Sequence, residues 1–122
     1  MKLRRITDKE TYVECLPWLK DIPFSDMTYL DCLARCLTGQ YQGITGEIDG
    51  KPVGIMVYYT YDNDKCFIVA LWCRKNLQKF VSLGEIFFRS EGVKTIRCSS
   101  VIDVFDTMPG MKKLWTVYER AL

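Results

Sequence analysis

The chain contains no histidine among its 122 residues. This absence excludes a Ser-His-Asp triad, a Cys-His pair and every zinc site that uses histidine. An excess of charge of one sign is also nearly absent, because the 17 Lys and Arg residues are almost balanced by 15 Asp and Glu residues. We therefore expect neither nucleic-acid binding nor attraction to an anionic membrane. Four prolines and eight glycines are too few for a low-complexity chain, and 48% hydrophobic residues predict one globular domain over residues 1–122.

Long apolar runs are also lacking. The run from Phe67 to Cys73 is far shorter than a membrane span, and the first ten residues contain no apolar signal segment. A cytoplasmic location is therefore expected. Six cysteines lie inside apolar segments, so we expect them to be reduced and buried. The Cys32-x-x-x-Cys36 spacing places two thiols on one helix face, but no second pair stands at ligand spacing, so no metal site is predicted. The cysteines are Cys15, Cys32, Cys36, Cys66, Cys73 and Cys98.

The first third of the chain predicts one strand and two helices. A weakly alternating strand spans Lys2 to Ile6, and Thr7 with Glu10 has the spacing of a capping box. Pro17 lies too deep for a first-turn proline and is expected to kink or shorten the first helix. The second helix is predicted to start after Ser25 or Asp26, and Gly39 to close it. The predicted buried positions are Tyr12, Val13, Cys15, Leu16 and Leu19 in the first helix and Met27, Leu30, Leu33, Ala34 and Leu37 in the second.

The middle of the chain predicts an antiparallel meander. From Tyr41 the hydrophobic period changes to two, and Asp49-Gly50 is a strong hairpin signal. The partner strand is predicted over Pro52 to Tyr61, followed by a turn at residues 62–64. The segment Cys66 to Cys73 is apolar on both faces, which is typical of a strand buried between two layers.

The last third predicts a crossover and a closing strand. Leu77 to Glu91 forms an amphipathic helix laid on the sheet, and Gly84 allows close approach of the helix to the sheet. Its predicted apolar face comprises Leu77, Phe80, Val81, Gly84, Phe87 and Phe88, with Gln78, Lys79, Glu85, Arg89 and Glu91 opposite. The next strand is predicted over Val93 to Cys98. The order strand, helix, strand implies a right-handed crossover, so this strand should lie parallel to the central one. A short helix from Ser99 or Ser100 through Phe105 and a strand over Lys113 to Arg120 complete the chain. The predicted fold class is α+β or α/β, with a central mixed sheet of an antiparallel meander and one parallel pair, and helices on both faces.

The predicted order β-α-α-β-β-β-α-β-α-β resembles the GNAT family of acyl-CoA-dependent N-acetyltransferases. The resemblance spans nearly the whole chain. Its carriers are Leu3 to Thr7 with the helix that follows, the hairpin Gly46 to Gly54 with its Asp-Gly-Lys-Pro-Val-Gly phrase, and the closing segment Gly110 to Arg120. The chain is similar to divergent, compact members of this fold that phages encode, for which the host cytoplasm or the virion would be the location.

The resemblance implies that the turn after the fourth strand is the coenzyme site. In the family this turn carries an Arg/Gln-x-x-Gly-x-Gly/Ala loop, whose glycines let backbone N–H groups close on a diphosphate. The corresponding residues are Arg74, Lys75, Asn76, Leu77 and Gln78, and none is glycine. Many members also use a tyrosine as general acid after the fifth strand. The nearest position holds Phe105, which has no proton to give.

Other candidate residues have structural explanations that we favour. Tyr58, Tyr59 and Tyr61 could line an acceptor groove, although tyrosines on strands are usually half-buried. Glu47 and Asp103 are the carboxylates best placed to act as a base, although surface charge is the simpler role. Helix capping explains Ser99 and Ser100 after Cys98, since no histidine could activate a nucleophile there. The basic residues Lys2, Arg4, Arg5, Lys112 and Lys113 are expected to be a solvated edge.

Three hypotheses follow. The first is a catalytically silent GNAT-like module that binds another protein and needs no cofactor. The alternative is an active N-acetyltransferase that uses acetyl-CoA through a divergent loop. A third possibility is a sensor that holds a small ligand between the fourth and fifth strands. The catalytic residues, acceptor, partner and oligomeric state are left open by the sequence.

Overall fold

The computed structural model describes residues 1–20, 27–99, 112–114 and 117–122. Within them, seven strands form one mixed sheet in the order β1-β2-β3-β4-β5-β7-β6. Only β4 and β5 are parallel, as predicted, and the other neighbours are antiparallel. The strands are Lys2–Arg5 (β1), Gln42–Ile48 (β2), Lys51–Tyr61 (β3), Lys65–Cys73 (β4), Thr95–Ser99 (β5), Lys112–Leu114 (β6) and Val117–Ala121 (β7).

Helices cover both faces of this sheet, which confirms the predicted fold class. The helices are Lys9–Cys15 (α1), Tyr29–Leu37 (α2) and Leu77–Ser90 (α3), with a 3-10 helix at Leu16–Leu19. One core joins α1, α2 and the 3-10 helix to one face, around Ile55 and Val57. A second core joins α3 to the other face, around Met56 and Phe80. Alternate residues of β3 therefore face different helices, as strand geometry requires.

The predicted turns are confirmed. Asp49 and Gly50 both have positive φ, as a two-residue hairpin turn demands, and Asp62 and Asn63 have positive φ in the next turn. Gly39 has φ +81 after α2. Pro17 shortens the first helix, as predicted: α1 ends at Cys15, and the chain continues as a 3-10 helix.

The predicted helix starts need correction. Asp8, not Thr7, caps α1, because its side chain accepts from the Thr11 backbone N–H. The α2 helix begins at Tyr29, where Thr28 and Asp31 form a reciprocal capping box. The predicted starts at Ser25 and Asp26 lie outside the described residues.

The predicted helix faces were also partly wrong. Val13 is 54% exposed and Leu30 is 58% exposed, whereas α2 buries Cys32 and Cys36. The helix α2 docks by the side that carries the two cysteines, so Leu30 and the likewise predicted Ala34 face solvent. On α3, Phe80 and Phe88 are buried but Val81 and Phe87 are only half-buried.

The C-terminal part differs from the prediction as well. Lys112–Leu114 and Val117–Ala121 are two antiparallel strands where one strand was predicted over Lys113 to Arg120. Strand β5 spans Thr95–Ser99 rather than Val93 to Cys98. The helix predicted through Phe105 lies outside the described residues.

A bulge interrupts the pairing of β3 with β4. Val57 faces Ala70 and Tyr58 faces Ile68, so Val69 has no partner residue on β3. Val69 and Ala70 consequently both pack toward the core that contains α1 and α2. The bulge lies next to the point where β4 and β5 separate.

Candidate functional site: the β4–α3 turn and the β4–β5 cleft

Strands β4 and β5 separate halfway along β4. Their parallel pairing covers Lys65–Ile68 against Thr95–Cys98, while β4 continues to Cys73. Beyond Ile68 the described residues pair β4 only with β3. The second half of β4 therefore borders a cleft on the β5 side, and the turn into α3 lies at the end of that half.

The turn between β4 and α3 has three residues, Arg74 to Asn76. Its first residue is tied to the sheet, because the Arg74 N–H donates to the Val53 carbonyl over 2.8 Å. The Cys73 thiol donates to the Lys75 carbonyl over 2.9 Å. Both bonds hold the turn close to the strand ends.

The residue before α3 has a left-handed backbone conformation. Asn76 has φ 57 and ψ 50, the left-handed region that favours glycine, and its carbonyl accepts from the Phe80 N–H over 3.0 Å. No side chain caps the helix. The first-turn N–H groups therefore face outward without a side-chain partner, which is the arrangement that attracts anions.

The predicted coenzyme-site residues thus form one continuous segment. Arg74, Lys75, Asn76 and Gln78 are exposed, whereas Leu77, the first residue of α3, is half-buried. Lys79 adds a third exposed cation near the same helix end. The segment is basic and accessible, but it contains no glycine through which a backbone could close on a diphosphate.

Below the cleft, on the α3 side, lies a small cavity of about 30 Å³. Apolar side chains line most of it, including Leu71 and Ile96, together with the ion pair that Arg120 forms with Glu85. The volume suits one or two water-sized groups, not an organic ligand. The sensor hypothesis gains no support from this cavity.

Sequence reasoning missed the ion pair. It assigned Glu85 to the polar face of α3, but the Glu85 side chain is 15% exposed and turned toward the sheet. A signal was present, because Glu85 follows Gly84, the residue of closest approach. A side chain adjacent to such a contact lies at the helix-sheet boundary.

The three candidate tyrosines do not share one groove. Tyr58 lies on the α3 face, edge-on to Phe88 at 4.8 Å between ring centroids. Burial raises the pKa of Tyr58, so its hydroxyl stays protonated. Tyr59 lies on the opposite face, where it stacks on Phe67 at 5.5 Å and packs near Tyr61.

The other candidates are not brought together. Glu47 contacts Arg4 at 3.7 Å across the strands β1 and β2, away from the cleft. Cys98 is buried in β5 beside the point where β4 and β5 separate, and it lines the cavity. Asp103, Ser100 and Phe105 lie outside the described residues, and Ser99 is described only by its backbone. Within the described part of the chain, no three His, Cys, Asp or Glu side chains are arranged to hold a metal ion.

The side chains that border the cleft from β4 offer no acid or base. Val69, Ala70, Leu71 and Trp72 are all apolar or weakly polar, and Trp72 packs on Trp18 at 4.9 Å. Cys73 already donates its thiol hydrogen to the turn. Proton transfer would thus need a group from elsewhere.

Comparisons with known proteins identify the fold. The structure resembles a GNAT family acetyltransferase from Brucella melitensis in complex with acetyl-CoA, with a TM-score of 0.74 and 11% identity over 99% of this chain and 87% of that one. It also resembles a GNAT acetyltransferase from Staphylococcus aureus, with a TM-score of 0.66 and 16% identity over 99% and 98% of the chains. A third likeness is the PaiA N-acetyltransferase of Thermoplasma acidophilum in complex with coenzyme A, with a TM-score of 0.67 and 12% identity over both full chains.

These likenesses show that the chain has the GNAT acetyltransferase fold, as the sequence resemblance implied. At such low identity they establish the fold alone. No family model and no curated protein sequence matches the chain. No helix in the described residues is long and apolar enough to cross a membrane.

Proposed function

We propose that the chain is a catalytically silent GNAT-fold module that does not use acyl-CoA and acts by binding another protein. The turn between β4 and α3 carries this proposal. When the family pattern Arg/Gln-x-x-Gly-x-Gly/Ala is placed from Arg74, its two small-residue positions are Leu77 and Lys79, in the first turn of α3. Two long side chains therefore stand where the glycines of a diphosphate loop would be.

Two further features support the proposal that the module is catalytically silent. The β4 side chains beside the cleft hold no acid or base, and the position that resembles the family's general acid is Phe105. A site whose described residues supply neither a diphosphate cradle nor a proton donor retains only the surface of the scaffold. A protein partner is the ligand class that such a surface can recognise, including a virion or host protein if the chain is phage-encoded.

Calorimetric titration of acetyl-CoA and coenzyme A into the full chain tests the silent module. We expect no binding heat at submillimolar ligand and no acetyl transfer to polyamine or peptide amines. A micromolar dissociation constant that the double variant Arg74→Ala/Lys75→Ala abolishes would overturn the proposal. Lys51→Ala is the matched control, because Lys51 is also exposed but lies at the β2–β3 hairpin.

One observation favours the second candidate, an active N-acetyltransferase. The N-terminus of α3 has no side-chain cap and is surrounded by exposed Arg74, Lys75 and Lys79. Charge-assisted hydrogen bonds contribute about 1.5–3 kcal/mol each, so these cations alone could hold a diphosphate modestly. Binding that survives Arg74→Ala/Lys75→Ala would instead place the ligand away from this turn.

A further inference from the structure

Strand β1 lies at one edge of the sheet, with β2 as its only neighbour among the described residues. The Ile6 N–H donates to the Gly43 carbonyl over 2.9 Å. Since backbone groups alternate along an antiparallel pair, Lys2 and Arg4 also direct their N–H and C=O groups toward β2. The backbone groups of Leu3 and Arg5 therefore point away from the sheet, where an added strand could pair with them.

The two sides of β1 differ in chemistry. Lys2 and Arg4 project on the same side as Ile6, which packs with α1 and α2, and both are exposed. The Arg4 side chain is 70% exposed, and its contact with Glu47 is a loose one at 3.7 Å. On the other side, Leu3 and Met1 are half-buried against the core under α3.

Arg5 shares the α3 side but is already engaged. Its guanidinium pairs with Glu91 and lies 5.2 Å from the centre of the Phe87 ring. The edge thus offers cations on one side, at Lys2 and Arg4, and apolar surface on the other, at Met1 and Leu3.

We propose that the edge of β1 binds an extended partner segment in which acidic and apolar residues alternate, so that the segment adds one strand to the sheet. This inference rests on the proposed function, since it specifies the protein that the module recognises. The acidic residues lie opposite Lys2 and Arg4, and the apolar residues extend the surface of Met1 and Leu3. Backbone hydrogen bonds supply the pairing, and the alternating side chains supply specificity.

A second copy of the chain fits this edge poorly. Pairing of two β1 strands would place Lys2, Arg4 and Arg5 against the same cations of the other copy, and like charges across a strand pair are destabilising. Basic residues on an edge strand disfavour self-pairing for this reason. The same charges favour an acidic occupant.

The experiment is a nuclear magnetic resonance titration of the labelled full chain with a blocked Glu-Leu-Asp-Leu-Glu peptide. We expect chemical-shift changes centred on the amides of Leu3 and Arg5. Arg4→Glu should weaken binding about tenfold, whereas Lys51→Glu should leave it unchanged, because Lys51 is exposed but lies on β3.

Backbone methylation separates strand addition from charge attraction. One peptide is N-methylated at both leucines and the other at the acidic positions. In an antiparallel added strand only the leucine amides face β1, and in a parallel one only the acidic amides do. Loss of binding for one peptide with retention for the other confirms strand addition. An equal effect of both, or equal binding of a Glu-Glu-Leu-Leu-Asp peptide, would overturn it.

The two proposals fail in different ways. If neither the peptide nor acetyl-CoA binds, the proposed strand addition at β1 is overturned and the proposed silent module is left intact. Micromolar acetyl-CoA binding that depends on Arg74 and Lys75 would overturn the silent module whatever the peptide does.

Discussion

Phe88 occupies the centre of the contact between α3 and the sheet. It is 1% exposed and lies edge-on to both Tyr58 and Phe87. Phe88→Ala should lower the free energy of unfolding by about 3–5 kcal/mol, because it removes a buried ring and leaves a cavity. Urea unfolding at an unchanged m-value measures this loss.

Ile86→Ala is the control for Phe88→Ala. Ile86 lies on the same helix but is 59% exposed. Its truncation should change stability by no more than about 0.5 kcal/mol. Equal losses for the two variants would mean that α3 packs on the sheet by another face.

Gly46 is fixed by its neighbours rather than by its backbone angles. A Cβ at this position would lie 2.9 Å from the Phe80 ring and 3.1 Å from the Met1 sulfur. Phe80 is fully buried and cannot move aside, so Gly46→Ala should destabilise the fold by about 1–3 kcal/mol. Thermal or urea unfolding checks this value.

Gly84→Ala provides the contrast to Gly46→Ala. Its Cβ would meet the flexible end of Met56 at 3.0 Å, and alanine is about 1 kcal/mol better than glycine inside a helix. The two effects oppose each other, so the net change should be much smaller than for Gly46→Ala. A loss as large as that of Gly46→Ala would contradict this account.

At this scale the sequence predicts which residue types are buried but not the limits of each buried face. A helical period places both Phe87 and Phe88 on the apolar side of α3, and only Phe88 is buried. Phe87 is half-buried, and its ring is covered by Arg5, from a strand 82 positions earlier. Such a contact between distant segments leaves no mark on local periodicity.

The cap of α2 is an element whose energy can be isolated. The Asp31 N–H donates to the Thr28 hydroxyl over 3.2 Å, and the Thr28 N–H donates to the Asp31 carboxylate over 2.9 Å. Thr28→Ala should cost about 1 kcal/mol of stability, since it leaves a first-turn N–H unsatisfied. Urea unfolding measures the difference.

Thr7→Ala is the matched control for Thr28→Ala. Thr7 has the sequence spacing of a cap, but the side chain of Asp8 takes that role. We expect a change of no more than about 0.5 kcal/mol for Thr7→Ala. A loss as large as that of Thr28→Ala would restore Thr7 as the cap.

The same caps make helix stability depend on pH. Hydrogen bonds from Thr28 lower the pKa of Asp31 below its usual 3.8, and hydrogen bonds from Thr11 lower that of Asp8. A carboxylate with a lowered pKa stabilises the fold above its unfolded pKa, and this stabilisation disappears as the pH falls through the folded pKa. Between pH 5 and 2, the free energy of unfolding should therefore depend less on pH in Asp31→Asn than in the parent chain. An unchanged pH dependence would contradict the role of Asp31.

Turn chemistry was the most predictable part of the elements. Asp49-Gly50 fixes its hairpin because few residues accept two successive positive φ values. Helix starts were less predictable, because Thr7, Asp8 and Thr28 are all good capping residues and only docking selects among them. The β4–α3 turn could be located from the sequence, and its lack of glycine could be read, but its left-handed Asn76 could not.

The thiols report on the integrity of the whole molecule. No disulfide links the six cysteines, all of which lie in the described residues, and only Cys73 is not buried. Burial raises the pKa of Cys66 to about 12 and that of Cys15 to about 11, which suppresses their reactive thiolates. We expect Ellman's reagent to modify Cys73 first in the native chain and six thiols after unfolding without reductant.

Cys73→Ser is the control for this thiol measurement. It should remove the early phase of the reaction and leave the five slow thiols unchanged. Rapid modification of several thiols in the native state would contradict the packing of both cores. Recovery of fewer than six on unfolding would indicate disulfides.

The bulge at Val69 changes which residues of β4, odd-numbered or even-numbered, face each side of the sheet. Before the bulge, Phe67 lies on the α1 and α2 face, where it stacks on Tyr59, and Ile68 lies on the α3 face. After the bulge, Trp72 lies on the α1 and α2 face and Leu71 on the α3 face. Deletion of Val69 would remove the bulge, because Ile68 and Ala70 would become neighbours opposite Tyr58 and Val57, and Leu71 and Trp72 would keep their faces. The bulge therefore accommodates one residue more than strict alternation allows while both cores keep their side chains.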